Sequence, residues 1–197
     1  MTSERLEAFS DGVIAILITI MVLELRPPGG TTWHDLSKLL PVFSSYVLSF
    51  VVIGIYWNNH HHMLRATQRI DGTVLWANLH LLFWLSLFPF ATAWMGEHHF
   101  ATVPVATYGV ALLLAAIAYY VLQRAIIAGE GAESTLAAAI GRDAKGKASP
   151  LIYAAGIGLA FVNRWVAIAC YVVVTLMWLI PDRRLEARLS APQAAGG

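Results

Sequence analysis

Six long apolar stretches, at about 6–25, 39–57, 74–94, 103–127, 149–162 and 165–180, restrict this chain more than any other feature it has. A bilayer interior is about 30 Å thick, and a helix needs roughly 20 residues to cross it with its backbone groups bonded internally. The expected fold is therefore all-α and polytopic, with six transmembrane helices. Pro150, Asn163 and Arg164 keep the fifth stretch short, and the sixth follows at once, so the two should form a tight hairpin. Composition agrees, since 58% hydrophobic and 13% charged residues cannot cover a water-facing surface. The 13 basic and 12 acidic side chains leave no positive excess for nucleic acid. Cys170 is the sole cysteine, so no internal disulfide or cysteine metal cage can form within one chain.

The first stretch is too long for a cleavable signal and has no small-x-small site before Pro27 and Pro28, so it should stay in the mature chain. Six crossings place both termini on one side. Ten of the 13 Lys and Arg residues then fall on the terminal side and only Arg26, Lys38 and Arg164 opposite, which predicts cytoplasmic termini in the cell membrane. A transmembrane domain at 1–182 and a cytoplasmic tail at 183–197 follow. The longest connection, 128–148, reads as a cytoplasmic loop with a short helix near 134–140. On the outer side, 27–35 reads as a turn, an N-cap candidate and an interfacial Trp33. Trp57, Trp94, Trp165 and Trp178 also recur near span ends, as interfacial anchors do.

No phosphate-binding glycine loop, His-Glu-x-x-His helix or Gly-x-Ser-x-Gly elbow occurs, which argues against an enzyme, and no cofactor is expected. The informative segment is the first span. It opens Arg5-Leu-Glu-Ala-Phe9-Ser10-Asp11-Gly12, continues through an apolar run holding Thr19, and closes Val22-Leu23-Glu24-Leu25. Related signals follow in Tyr56-Trp57-Asn58-Asn59-His60-His61, in Leu75-Trp76-Ala77-Asn78-Leu79 and in Leu87-Phe88-Pro89-Phe90.

Together these segments resemble the transmembrane protein 175 family of potassium channels. The resemblance implies six transmembrane helices per repeat and a cation pore lined by the first helix of each. Single-repeat members assemble as homotetramers, with potassium as the permeant ion and membrane lipid around them. The Thr-Val-Gly-Tyr-Gly filter of other potassium channels is absent from the family and from this sequence.

At about 100° per residue, Ile16, Ile20 and Leu23 fall within roughly 60° of one another, and Phe9 and Gly12 continue that line. Periodicity alone leaves lipid, packed core and pore open as surroundings for such a stripe. Matched to the family's motif, the three positions correspond to its pore constriction, and Thr19, about 60° from Ile16 on the helical wheel, to the hydroxyl layer associated with potassium preference. A narrow apolar ring can close by dewetting, because an ion cannot carry its water through it. From its residue type alone, the Thr19 hydroxyl is better explained by a bond to its own helix carbonyl one turn back.

Asp11 and Ser10 lie about 140° and 120° from Ile16, so both should point into their own subunit. Arg5, His60, His61 and Asn78 fall near the same end. The resemblance implies a structural polar network of Arg5, Phe9, Ser10, Asp11, His60, His61 and Asn78 that anchors the first three helices. Glu24 reads either as an outer acidic rim that concentrates cations or as an interfacial carboxylate screened by water or paired with Arg26. Adjacent histidines point about 100° apart on a helix, so His60, His61 and His62 cannot readily share one ion, and no metal is expected. Glu97, His98 and His99 read as solvated.

Two other classes stay open beside a potassium-permeable channel. A proton-coupled carrier would need ionisable groups at mid-membrane, where Thr19 is the only obvious polar side chain of the first span. A non-conducting membrane scaffold would tolerate polar residues at 16, 20 and 23.

Overall fold

Proline and buried polar side chains decide where the apolar stretches start, bend and stop. The computed structural model describes residues 2–67, 69–131 and 144–179, and every regular element among them is helical. In chain order these are α1 Ser3–Leu23, α2 Trp33–Ser37, α3 Leu40–Arg65 and α4 Gly72–Ser86. They are followed by α5 Phe88–Glu97, α6 Thr102–Glu130, α7 Ala144–Ala160 and α8 Arg164–Leu179. Four spans among the described residues are long and apolar enough to cross a bilayer: Ser3–Leu23, Leu40–Arg65, Gly72–Glu97 and Thr102–Glu130. The chain is thus a multi-pass membrane protein. α7 and α8 pack on each other as the hairpin expected, but at 17 and 16 residues they fall short of the other spans. The helix expected near 134–140 and the tail at 183–197 lie outside the described residues.

Two boundaries differ from the sequence reading. α3 runs on to Arg65 instead of stopping near Trp57, because His60, Met63 and Leu64 pack into the protein and hold the helix past its apolar part. Hydropathy marks the bilayer, whereas packing marks the helix. The span expected over 74–94 is present at Gly72–Glu97 but is made of two helices, α4 and α5. Pro89 has no N–H to donate and its ring would strike the carbonyl of Leu85. The Leu87 N–H accordingly bonds the Trp84 carbonyl, only three residues back, at 3.3 Å.

α5 ends in a Schellman motif, in which the Phe100 N–H reaches the Met95 carbonyl at 2.9 Å and the His99 N–H reaches Gly96 at 3.1 Å. His99 takes a left-handed φ of 50° at the position glycine usually fills, and Phe100 follows at 56°. Phe100 is thereby turned inward, onto Trp165 of α8, with ring centroids 5.7 Å apart.

Small residues let the helices approach closely where no hydrophobic driving force exists between them. A Cβ at Gly96 would lie 2.8 Å from the Val42 Cα, so α5 crosses α3 almost backbone to backbone. Gly109 of α6 and Gly156 of α7 both give way to the ring of Tyr171 on α8. The Tyr171 hydroxyl then donates to the Val105 carbonyl at 3.4 Å. Further inside, Ser49 donates to the Tyr108 hydroxyl at 3.0 Å and pairs with the Thr92 hydroxyl at 2.6 Å, joining α3, α5 and α6. α1 lies to one side of this core against α3, α4 and α5.

Candidate pore-lining helix and its polar anchor

α1 has two sharply different faces. Leu6, Ser10, Ile14, Leu17 and Met21 recur at helical spacing and are all buried, Ile14 at 1% and Leu17 at 5% exposure. The opposite ridge carries Phe9, Gly12, Ile16, Thr19, Ile20 and Leu23, every one exposed in the single chain, with Ile16 at 57% and Leu23 at 77%. The residues picked out by spacing therefore occupy the face that this subunit does not cover. Thr19 Oγ1 donates to the Ile16 carbonyl at 2.8 Å. That bond uses the only hydroxyl hydrogen, so the oxygen presents lone pairs alone to whatever lies beyond the ridge.

The buried face is fastened at the end bearing the N-terminus. His60 Nε2 lies 2.7 Å from Asn78 Oδ1, Asn78 Nδ2 donates to Ser10 Oγ at 3.0 Å, and Ser10 Oγ donates to the Leu6 carbonyl at 2.8 Å. Because the Asn78 oxygen can only accept, His60 carries its proton on Nε2 in this arrangement. The three side chains come from α3, α4 and α1 and are fully buried, so one line of donors and acceptors ties three helices together. Ser3 Oγ adds a bond to the Leu64 carbonyl at 2.6 Å, joining the start of α1 to the end of α3.

Beside this chain is a second polar group that the sequence reading assigned differently. The sequence groups Asp11 with Arg5, His60, His61 and Asn78, but its Oδ1 accepts from Trp57 Nε1 at 3.0 Å. Trp57, expected from the sequence as an interfacial ring, is thus an anchor for a carboxylate. His61 turns instead to Glu7, whose Oε1 lies 2.7 Å from His61 Nδ1, with Arg65 Nε 3.8 Å from the same oxygen. Arg5 and Phe9 are exposed and stand outside both groups, because α1 rotates them away from α3 and α4. The spacing that would have found Glu7 and Trp57 is simple: 7 and 11 on α1, and 57 and 61 on α3, are each one helical turn apart.

At the other end, Glu24 caps α1 and is exposed, and it makes no ion pair with Arg26 among the described residues. The segment that follows folds as read, with Thr32 capping α2. Thr32 Oγ1 accepts from the Asp35 N–H at 3.2 Å, and Asp35 Oδ2 accepts from the Thr32 N–H at 3.3 Å. Lys38 Nζ, 2.9 Å from Asp35 Oδ1, completes the cap.

Comparison with known proteins places these features in company. A family model described as the endosomal/lysosomal potassium channel TMEM175 matches residues 5–89, the part that holds α1, α3 and α4. A potassium channel of Chryseobacterium sp. (strain P1-3) is 53% identical over 189 residues, covering 96% of this chain and 98% of that protein. A potassium channel of Streptomyces collinus is 37% identical over 128 residues, 61% of this chain and 62% of that one. Among solved structures, a lysosomal potassium-selective channel TMEM175 homologue from Chamaesiphon minutus matches with a TM-score of 0.79 and 28% identity. That match covers 92% of this chain and 97% of the other.

Proposed function

The chain belongs to the TMEM175 family of potassium channels, and from that premise we propose that it is a potassium-permeable cation channel built by four copies around a common axis. Each copy crosses the cell membrane six times, α7 and α8 supplying the last two crossings, with both termini in the cytoplasm. α1 lines the passage. Ile16, Ile20 and Leu23 form its apolar neck, Thr19 supplies an oxygen layer beside them, and Glu24 forms an outer acidic rim. The observation that carries this reading is the division of α1 into a packed face and an uncovered ridge of large branched residues.

The mechanism follows from the chemistry of that ridge. An apolar neck too narrow for a hydrated ion excludes water and closes without any moving plug. A small rotation of α1 replaces branched carbons with the Thr19 oxygens, which can stand in for part of a potassium hydration shell. The chain of His60, Asn78 and Ser10 gives the helix a fixed pivot at one end. Purified protein in liposomes with a potassium gradient tests the proposal. Flux above that of empty vesicles, from particles with the mass of four chains, is expected. A strict monomer that passes no potassium contradicts it.

A further inference from the structure

Glu7, Asp11 and His61 bring one carboxylate oxygen each and the imidazole Nδ1 to within 4.8 Å of one another, from two facing helices. We infer that these three residues form a binding site for a divalent transition-metal ion of the zinc type, clamping α1 to α3 at the N-terminal end of the bundle. Nothing in this inference depends on the chain conducting potassium.

Three observations support it. The two carboxylates sit four residues apart on α1, where like charges repel and a shared cation relieves them. The His61 Nδ1 is shielded from solvent and makes no hydrogen bond, although Glu7 Oε1 is only 2.7 Å away, so the oxygen lies off the ring's bonding direction. At 2.7 Å the two atoms are closer than the roughly 3.3 Å that separates two ligands of one tetrahedral zinc, so a bound ion would part them and replace the ion pair between them. Asp11 is also oriented from outside, by the 3.0 Å bond from Trp57 Nε1, as metal-binding carboxylates usually are.

One imidazole with two carboxylates is a borderline ligand set that suits zinc and its late first-row neighbours better than magnesium or calcium. Zinc holds nitrogen and oxygen ligands at about 2.0–2.2 Å, which three atoms this close can reach by side-chain adjustment. The remaining positions would be taken by water. Only His61 of the three consecutive histidines takes part, since His60 is committed to Asn78, in keeping with their divergence around α3. Arg65, 3.8 Å from the Glu7 oxygen, is the resident competitor for the same negative charge.

Titration of zinc chloride into the purified full-length protein, followed by calorimetry, tests this, with cobalt absorption as a second probe. Binding of one zinc per chain is expected. His61→Gln and Glu7→Gln should each weaken it by about tenfold or more, at least the effect of losing even an outer partner of a metal ligand. Arg65→Gln should tighten it, and the His98→Gln/His99→Gln pair should leave it unchanged. Bound cobalt should show the visible absorption of a nitrogen and oxygen site in wild type and lose it in His61→Gln. Thermal unfolding without metal shows which variants fold, and if one substitution at the site does not, the other carries the test. Wild type that binds no zinc at 1 mM, on the order of the weakest affinity worth counting, would overturn the inference. So would zinc affinity that survives both site variants, or that disappears only with His98 and His99.

Discussion

Thr19 Oγ1 donates its hydrogen to the Ile16 carbonyl at 2.8 Å, while the rest of its side chain stays on the exposed ridge of α1. Local helix bonding and ion contact are often set against each other as explanations for a membrane threonine. Here they are compatible, because the helix bond removes the donor and leaves only acceptor lone pairs facing outward. Thr19→Val is expected to keep the helix and the channel intact but to lower the preference for potassium over sodium. Reversal potentials in mixed potassium and sodium gradients check this, and an unchanged ratio would remove Thr19 from selection.

The buried chain from His60 through Asn78 to Ser10 should behave as one unit. Asn78→Leu leaves the buried His60 ring N–H without an acceptor, at a cost of about 1–3 kcal/mol, while Ser10 keeps its bond to the Leu6 carbonyl and loses only the one it accepts. A clear fall in melting temperature in detergent is expected. Arg5→Gln, an exposed residue outside the chain, should change it little. Equal effects of the two would mean that the buried chain contributes nothing particular.

Two glycines of α7 should respond in opposite directions. A Cβ at Gly156 would lie 2.6 Å from Cε1 of Tyr171, whereas one at Gly158 meets nothing within 4 Å. Gly158→Ala is expected to stabilise the helix by up to about 1 kcal/mol, the propensity difference between the two residues. Gly156→Ala is expected to lose about 1–3 kcal/mol through overpacking against the tyrosine ring. Melting temperatures of the two variants, read side by side, decide it.

Acid should loosen the cap of α2. Bonds from the Thr32 side chain, from Lys38 and from the Thr32 backbone hold the Asp35 carboxyl below its ordinary range. A depressed pKa means that the cap is fully stabilising above the ordinary carboxylate range and is lost as pH falls through the lowered value. Hydrogen exchange at the Thr32 amide should therefore slow less on acidification than the intrinsic base-catalysed rate does, and Asp35→Asn should abolish that excess. An excess that persists in Asp35→Asn would assign it to another group.

How much of this was legible in the sequence depended on whether a feature is local. The apolar runs gave the four long spans because hydropathy is a property of the run itself, and helical spacing put Ile16, Ile20 and Leu23 on one ridge. The proline at 89 was visible too, but its consequence, a helix split in two at Leu87, needs the carbonyl that the ring displaces. The extension of α3 past Trp57 was not legible, since it rests on His60, Met63 and Leu64 finding partners on other helices. Pairing was the hardest part. His60 and Asn78 had been gathered with Asp11 by their common end of the bundle, yet the carboxylate's actual partner is Trp57, while His61 faces Glu7. Hydropathy and motif both overlook such a match, because it depends on the rotation of α1 against α3.

The most direct test of the pore-lining role of α1 is the potassium conductance of Ile16→Asn and Leu23→Asn in liposomes, measured against wild type at equal protein density. A polar ring holds water in the neck that a branched apolar ring expels. Resting conductance is therefore expected to rise in both variants, by about tenfold for each 1.4 kcal/mol taken from the barrier. Conductance unchanged from wild type in both, with the proteins folded and assembled, would contradict the placement of α1 at the axis.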